Sequence, residues 1–265
     1  MRVVRIQEIT SEENPSVKAW RQLLAPRGMK KQGRALLSGP KIVSEALRVL
    51  PERAETVLLG GPRMTPPEDV PEGAQIVRLP SPIFQELDTS GTHAPLLVLR
   101  LPDPEPWTPA DGLPPGLTLF LPFQDPENLG AAIRSGLAFG VSRIVLLVGA
   151  AHPFHPKTLR ASGGAVIRAH LAQGPTLESL PGTLPLVPLS AEGQDITRFE
   201  FPPSCGLLPG VEGPGLPAAW RERAVSIPIR PEVESLNAAA AVAIALHEWA
   251  RRRGALSRGT ATQGV

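Results

Sequence analysis

Three short segments of the chain place glycines and a few polar side chains directly after an apolar run. The first contains Asp125, Asn128 and Arg134, the second begins at Gly210, and the third ends at Asn237. In open α/β sheets, ligands bind where the strands end, and glycine lets a ligand approach the backbone closely. The segments therefore predict one ligand site built from three loops that are far apart in the chain.

Each of these loops by itself also has a simpler interpretation. Asn128 can cap a helix, and Arg134 can be an exposed arginine on that helix. Gly210, Gly213 and Gly215 can form a plain turn, and the polar residues of the third loop can cap a core helix. The glycine loop lacks both the Walker lysine and GxGxxG spacing, so it indicates neither a nucleotide-phosphate cradle nor a Rossmann dinucleotide enzyme.

The elements that must position these loops alternate between helices and short strands. We predict helices at 14–24, 40–50, 81–87, 128–139 and 235–252, with a break in the chain at 26–28. We predict strands at 35–37, 56–59, 75–79, 96–99, 117–122, 143–148, 184–189, 205–208 and 226–229. The nearly continuous apolar run of 143–148 is typical of a parallel sheet that is covered on both faces. The fold class is therefore α/β.

A proline-rich segment separates two α/β regions. Residues 102–116 contain six prolines, and proline at this density favours extended, semi-rigid chain. We therefore predict a domain at 1–101, a linker at 102–116 and a second domain at 117–253. The remaining residues, 254–265, are small and polar, and we predict a disordered tail.

The composition is that of a folded chain, because 42% of its 265 residues are hydrophobic. The single cysteine, Cys205, cannot form an internal disulfide framework and fits a reducing compartment. The first residues lack the apolar core of a signal peptide, and no apolar run reaches the ~20 residues that cross a bilayer. We therefore expect a cytoplasmic protein with no membrane partner.

Positive charge is concentrated near the N-terminus, although the net charge of the chain is only +2. Residues 18–34 contain no acidic side chain and six basic ones: Lys18, Arg21, Arg27, Lys30, Lys31 and Arg34. Such a segment can neutralise phosphates and release their counterions, so we predict that these six residues bind RNA. The alternative is a solvated helix face followed by a basic loop.

The order and spacing of the three loops resemble the three motifs of the SpoU family, within the SPOUT class of RNA methyltransferases. Asn128–Arg134 resembles the Asn-x-Gly-x-x-x-Arg motif, and Gly210–Leu216 resembles Gly-x-Glu-Gly-x-Gly-Leu. Ile227-Pro228 followed by Ser235–Asn237 resembles the third motif. The resemblance covers residues 117–250 and is weaker over the first hundred residues, which look like the family's RNA-binding domain.

The resemblance implies a function, a cofactor and partners. It implies transfer of a methyl group from S-adenosylmethionine (AdoMet) to a ribose 2′-hydroxyl of structured RNA, by a homodimer with a trefoil knot in the C-terminal domain. Ribosomal RNA is favoured over tRNA, because the minimal tRNA enzymes of the family commonly lack an N-terminal domain. The alternatives are a tRNA 2′-O-methyltransferase and an inactive RNA-binding protein that assists ribosome assembly.

The resemblance also implies roles for individual residues. The catalytic group is Asn128, Arg134, Glu212, Ser235 and Asn237, and the cofactor-binding group is Gly210, Glu212, Gly215, Ile227 and Leu236. Guanidinium has a pKa above ~12, so we expect Arg134 to hold the phosphate and polarise the hydroxyl rather than to act as a base. We expect no metal, because the His-x-x-His spacing of His152 and His155 has no carboxylate or cysteine partner.

Overall fold

The computed structural model describes residues 5–210 and 216–254. The chain divides into two compact units, Met1–Asp103 with His152–Arg168, and Pro104–Ala151 with Ala169–Val265. The first division point falls inside the predicted linker. The segment 152–168, which we predicted as part of the second domain, belongs instead to the first unit. Most of the predicted tail, from residue 255 onward, lies outside the described residues.

The described residues form helices and strands that alternate along both units. The α-helices are α1 (Pro15–Gln22), α2 (Pro26–Gln32), α3 (Pro40–Val49), α4 (Ser81–Leu87), α5 (Pro126–Ala138), α6 (Pro156–Ser162), α7 (Ala218–Arg221) and α8 (Ala238–Arg252). The strands are β1 (Ile6–Glu8), β2 (Arg34–Leu37), β3 (Ala54–Gly60), β4 (Gln75–Leu79), β5 (Leu96–Arg100), β6 (Glu105–Pro106), β7 (Gly116–Leu121), β8 (Arg143–Leu146), β9 (Leu171–Gln173), β10 (Leu186–Asp195), β11 (Ser204–Pro209) and β12 (Val225–Ser226). Short 3₁₀ helices lie at Pro51–Arg53, Pro109–Asp111, Ala165–Ile167 and Leu177–Ser179.

The first unit contains a mixed sheet in the order β1-β4-β3-β5-β2. Strands β1, β3 and β4 are parallel, and β5 runs antiparallel to both of its neighbours. Apolar side chains of α1 and α4, among them Val17 and Phe84, join strand residues such as Leu58 in one buried cluster. Helix α1 begins where the sequence predicted, because the side chain of Asn14 accepts a hydrogen bond from the backbone N–H of Ser16.

The predicted break at residues 26–28 is wrong, because this segment forms helix α2. Pro26 occupies the first turn, where its missing N–H costs nothing, and Gly33 ends the helix in the left-handed conformation. A Cβ atom on Gly28 would overlap the carbonyl oxygen of Gln22 at the end of α1. Gly28 therefore marks the close approach of two consecutive helices rather than a turn.

Replacing Gly28 with alanine is expected to destabilise the first unit, because the new methyl group must push α2 away from α1. Overpacking of this kind costs about 1–3 kcal/mol. Urea unfolding at neutral pH measures the loss. Gly73→Ala is the matched control, because a Cβ at Gly73 meets no atom within 4 Å. Equal stability of the two variants would contradict the predicted helix contact.

The segment 152–168 is tied to α3 by an ion pair. Arg168 donates to the carboxylate of Glu45, with one contact of 2.7 Å from Nη2, and Arg48 on α3 donates to the same carboxylate at 2.9 Å. The hydrogen bond from Arg168 lowers the pKa of Glu45 from its usual 4.5 to about 2. The folded state therefore favours the ionised carboxylate.

This ion pair predicts a pH-dependent contribution to stability. Because the pKa of Glu45 is lower in the folded state, its contribution is fully present above about pH 5 and is lost as the pH falls toward about 2. Glu45→Gln should therefore be less stable than the wild type at about pH 7, with the difference shrinking on acidification. Urea unfolding from neutral pH down to about pH 3 measures this. Glu8→Gln, which removes an exposed carboxylate, is the control, and a difference that does not vary with pH would contradict the prediction.

The second unit contains a sheet in which all strand pairs are parallel, in the order β12-β10-β11-β7-β8-β9-β6. The chain runs from β7 through β8 to β9 in one direction, and then returns to place β11 on the other side of β7. Strand order therefore reverses between β7 and β11, the position where open parallel sheets bind ligands. The prediction of an α/β fold with a parallel sheet is confirmed.

The ends of several elements differ from their predicted positions. Part of the predicted linker forms β6, which pairs with β9 as an edge strand. Strand β10 extends six residues past the predicted end at Leu189, because its second half pairs with β12 after a register shift. Helix α8 begins at Ala238 rather than Ser235, since Asn237 is its N-cap and accepts from the N–H of Ala240 at 3.1 Å.

Candidate active site

A cavity of about 520 Å³ lies at the carboxyl end of β11, beside the middle of β10, strand β12 and the beginnings of α5 and α8. The three segments singled out in the sequence meet there. Its lining consists of Asn128, Leu189, Ser190, Ala191, Pro209, Gly210, Leu216, Val225, Ile227, Ile229, Ser235, Leu236, Asn237, Ala238 and Ala241. The volume is within the range of pockets that hold a small molecule, and the lining combines apolar side chains with a few polar groups.

The first and third segments are joined by a hydrogen bond between two asparagines. Asn237 Nδ2 donates to Asn128 Oδ1 over 2.9 Å. Helix α5 is capped by Asp125, whose carboxylate accepts from the N–H groups of Glu127 and Asn128 at 2.8 Å each. The simpler interpretation of Asn128 as a helix cap therefore does not hold. The amide oxygen of Asn128 contacts the third segment instead.

Asn237 has two structural contacts at once. Its Oδ1 atom caps α8, and this requirement turns its Nδ2 atom toward Asn128. Oxygen and nitrogen of an amide are assigned from the hydrogen bonds they make, and here the helix cap determines the assignment. The start of α8 and the start of α5 are thus held in a defined relation beside the cavity.

The predicted cofactor-binding residues are placed at the cavity as far as the structure describes them. Gly210, Ile227 and Leu236 line it, and so does Ser235, one of the predicted catalytic residues. Glu212 and Gly215 lie outside the described residues.

The sequence analysis missed the contribution of strand β10. Leu189, Ser190 and Ala191 line the cavity at the point where β10 stops pairing with β11. A signal was present, because Ser190 and Ala191 follow the apolar run that ends at Leu189 in the same way as the other three loops follow their strands. Ala238 and Ala241 were also missed, and their small side chains leave room for a ligand beside α8.

Arg134 lies apart from the residues that line the cavity. It is exposed on α5, and the cavity lining does not include it. Its position six residues after Asn128, under two helical turns, rotates it away from the beginning of the helix. Within one chain, therefore, the structure brings together Asn128, Ser235 and Asn237 but not Arg134.

The six predicted RNA-binding residues fall into two groups. Lys18 pairs with Glu13, Arg21 pairs with Glu86 at 2.7 Å, and Arg34 pairs with Glu55, so carboxylates compensate these three charges locally. Arg27, Lys30 and Lys31 are exposed on α2, and each is without an ion pair among the described residues. The uncompensated charge of the segment is therefore on α2.

Metal binding by His152 and His155 is opposed by their hydrogen bonds. Nδ1 of each ring accepts a backbone N–H, from Phe154 at 3.1 Å and from Lys157 at 3.2 Å. Burial lowers the pKa of both imidazoles. In the part of the chain that the structure describes, no three histidine, cysteine, aspartate or glutamate residues are grouped so that they could hold a metal ion.

Cys205 is a structural residue of β11. It is fully buried, and burial raises the pKa of its thiol to about 11. A thiol of this kind is protonated at neutral pH and is a poor nucleophile. Over residues 5–210 and 216–254, every helix is too short or too polar to cross a lipid bilayer.

The fold and the cavity together define an α/β protein with a small-molecule pocket at the strand-order reversal of a parallel sheet. The family model of the SpoU rRNA methylase family matches residues 118–247, which include most of this sheet and all the residues that line its pocket. The chain belongs to the SpoU rRNA methylase family.

Relatives of known name share this sequence over most of its length. The chain is 51% identical over 245 residues to the ribosomal RNA small subunit methyltransferase G 2 of Syntrophobacter fumaroxidans, with 92% of this chain but only 49% of that protein covered. The chain thus spans about half the length of that relative. It is 31% identical to an uncharacterised tRNA/rRNA methyltransferase of Synechocystis, covering 95% and 96% of the two chains. It is 28% identical to the 23S rRNA (guanosine(2553)-2′-O)-methyltransferase of Bacillus subtilis, covering 91% and 98%.

Solved structures share the fold over nearly the whole chain. The AdoMet-bound rRNA methyltransferase from Sinorhizobium meliloti is similar with a TM-score of 0.78 and 25% identity, over 94% of this chain and 98% of that one. The SpoU methyltransferase AviRb from Streptomyces viridochromogenes, in complex with AdoMet, is similar with a TM-score of 0.76 and 25% identity, over 91% and 98%.

Proposed function

We propose that this chain transfers the methyl group of AdoMet to a ribose 2′-hydroxyl of structured ribosomal RNA. The observation that carries the proposal is the meeting of three distant segments, represented by Asn128, Gly210 and Asn237, around one cavity. Membership of the SpoU rRNA methylase family supports it, and so does the AdoMet in two structures of similar fold.

Ribosomal RNA is favoured over tRNA as the substrate. The Bacillus subtilis relative, which covers nearly the same length, is named for 2′-O-methylation of 23S rRNA. The name of the Syntrophobacter relative carries less weight, because it describes a protein about twice as long. The residues of the first and third motifs support an active enzyme over an assembly protein that has lost methyl transfer.

The residues present fit AdoMet. The cavity of about 520 Å³ has apolar walls, formed by Ile227, Leu236 and their neighbours, against which a flat adenine ring can pack. The backbone around Gly210 supplies hydrogen-bonding groups at its edge, and we propose that Glu212 and Gly215 complete this side. Bound AdoMet supplies a methyl group that is already activated on a sulfonium sulfur, so the reaction needs no metal ion.

The protein's part in the reaction is to align and polarise the ribose. We propose that Arg134 grips the phosphate beside the target ribose with its planar guanidinium and donates a hydrogen bond to the 2′-hydroxyl oxygen. This contact makes the hydroxyl more acidic, so its proton leaves more readily to the phosphate or to water as the oxygen forms its bond to the methyl carbon. Asn128, Ser235 and Asn237 hold the ribose and the adjoining loops in place, which supplies the orientation that such a reaction requires.

The exposed position of Arg134 is the reason for proposing a homodimer. Because Arg134 does not line the cavity of its own chain, we propose that it acts in the cavity of a second copy. Helix α8, which packs against α5, exposes Ala240, Ile244 and His247 on one face, and Ile244 is 42% exposed. A second copy would cover this apolar face and bring its own Arg134 to the pocket.

Three further features belong to the same proposal. The chain around the second and third motifs forms a trefoil knot. The first unit is the RNA-binding domain, and the exposed cations Arg27, Lys30 and Lys31 contribute to its attraction for phosphates. The protein acts in the cytoplasm, where ribosomal RNA is modified.

Calorimetric titration with AdoMet and mapping of 2′-O-methyl groups test the proposed function. We expect binding with a micromolar dissociation constant, and one ribose in ribosomal RNA that is methylated only in cells that contain the protein. Ala241→Trp, which fills the cavity, is the control that should abolish binding while the fold persists. No binding at millimolar AdoMet would favour the assembly protein, and a methylated tRNA with unmodified ribosomal RNA would favour the alternative substrate.

A further inference from the structure

The first unit has a groove that neither the sequence motifs nor the named relatives account for. It encloses about 610 Å³ at the end of the sheet where β2, β3 and β4 begin and β5 ends. Its lining consists of Arg34, Pro51, Glu52, Ala54, Glu55, Thr56, Pro71, Gly73, Ala74, Gln75 and Arg100. We propose that this groove binds one unpaired nucleotide of the RNA substrate, an inference that rests on the proposed function.

Two arginines in the groove keep donors for a ligand. Arg100 uses Nη2 to donate to the backbone oxygen of Glu52 at 3.1 Å. Arg34 donates to Glu55 and, from Nη1, to the backbone oxygen of Gln32 at 3.1 Å. A guanidinium carries five N–H donors in a planar fork. These few contacts orient both guanidinium groups and leave further N–H donors that can bind a phosphate.

The groove also presents two uncharged polar side chains, Thr56 and Gln75. Thr56 lines the groove with only 8% of its surface exposed, and its side chain has no hydrogen bond to any other described residue. The hydroxyl of Thr56 can therefore donate or accept a hydrogen bond with a molecule in the groove. Gln75, at the start of β4, adds an amide that is likewise without a partner in the described part of the chain.

The groove contains both arginines and glutamates, and this combination indicates which kind of ligand it can bind. Arg34 and Arg100 are balanced by Glu52 and Glu55, so the groove is not built for a simple anion. A nucleotide has both an anionic phosphate for the guanidinium groups and base edges with N–H donors, which carboxylates and amides accept. Such edges are accessible only when the base is unpaired.

The groove is continuous with the uncompensated cations of the first unit. Helix α2, which exposes Lys30 and Lys31, runs through Gly33 directly into β2, whose first residue is Arg34. A strand of RNA that enters the groove therefore meets further positive charge on the adjoining helix. This continuity favours RNA over a free small molecule.

Gly73 offers a test that leaves the existing side chains in place. A Cβ at Gly73 meets nothing within 4 Å, and its backbone is outside the left-handed region, so substitutions there should not disturb the fold. Gly73→Glu places a carboxylate at the rim, and Gly73→Gln is the neutral control of the same shape. Gly182→Glu, at an equally open glycine of the second unit, controls for the change in net charge.

Filter binding of deproteinised ribosomal RNA to the full-length protein measures the effect. Gly73→Glu should raise Kd about fivefold to tenfold at low salt, while both controls stay within about twofold of wild type. Arg100→Gln should raise Kd by a similar factor and lower the slope of log K against log salt by about one, with a thermal melt to check its folding. If Gly73→Glu binds the RNA as tightly as Gly182→Glu does, the proposal is wrong.

Competition with a short oligonucleotide tests whether the bound nucleotide is unpaired. An eight-nucleotide RNA of mixed sequence should compete better as a single strand than as a duplex, and Gly73→Glu should remove this preference. If Gly73→Glu weakens competition by the single strand and by the duplex equally, the nucleotide in the groove is not an unpaired one. Calorimetry with AdoMet separates the two proposals. If the proposed function is wrong, the wild type does not bind AdoMet. If only the nucleotide-binding groove is wrong, the wild type and every groove variant bind AdoMet equally well.

Discussion

Replacing Arg134 with alanine is expected to lower kcat about a hundredfold to a thousandfold, because the change removes a donor that acts on the reacting oxygen and its phosphate. The Kd for AdoMet should stay within about twofold of wild type, since the proposed contacts of Arg134 are with the RNA phosphate and the 2′-hydroxyl and not with AdoMet. Arg134→Lys keeps the charge and loses the planar fork, so it should recover little of the rate. Full turnover by Arg134→Lys would contradict the proposed phosphate clamp.

Mixing two inactive variants tests whether Arg134 acts in a second copy. Arg134→Ala has an intact cavity, and Ala241→Trp has an intact arginine but a filled cavity. If the arginine acts across a dimer, random pairing should restore about one quarter of wild-type activity, since half the dimers are mixed and each has one complete site. Co-expression with two affinity tags produces the mixed dimer, and a mixed dimer without activity would contradict the shared site.

Removing the donor of Asn237 while keeping its helix cap is the second large effect that we expect. Asn237→Asp and Asn237→Ser both retain an oxygen that can accept from Ala240, but neither can donate to Asn128 in the same geometry. The start of α5 then loses its link to the start of α8, so kcat/KM should fall about tenfold or more through misalignment. The free energy of unfolding should change by less than about 1 kcal/mol, because the cap remains.

Asn237→Ala separates the two contacts of this residue. It removes both the cap and the donor, so it should lose stability by about 1 kcal/mol in addition to the loss of activity. Urea unfolding and steady-state kinetics on the same three variants give the comparison. If Asn237→Ser has wild-type kcat/KM, the hydrogen bond to Asn128 has no role in positioning the site.

Much of the fold could be predicted from the sequence because its signals are local. Asn14 and Asn237 lie at the beginning of apolar periodic segments, and each caps the helix that follows it. The apolar strands 117–122 and 143–148 are observed as β7 and β8 within a residue or two at each end. A capping residue and a repeating apolar period each depend on a few neighbouring residues, so the sequence contains the whole signal.

Other elements depended on contacts between segments that are distant in the chain. Helix α2 contains Gly28, which locally favours a turn, and its contact with α1 overrides that preference. The segment that ends at Arg168 belongs to the first unit because α6 packs against β2 and because Arg168 pairs with Glu45, 123 residues earlier. The second half of β10 is a strand only because β12 is beside it. No local signal in the sequence specifies these partners.

The candidate site shows the same division. The amino-acid sequence alone determined that glycines and polar residues follow several strands, and that these loops belong together. Asp125 as the cap of α5 had a local signal, since Pro126 follows it at the first helical position. Only the tertiary structure showed that Asn237 reaches Asn128. It also placed Arg134 outside the cavity of its own chain, because the face of α5 that borders the cavity depends on how α5 packs against the rest of the unit.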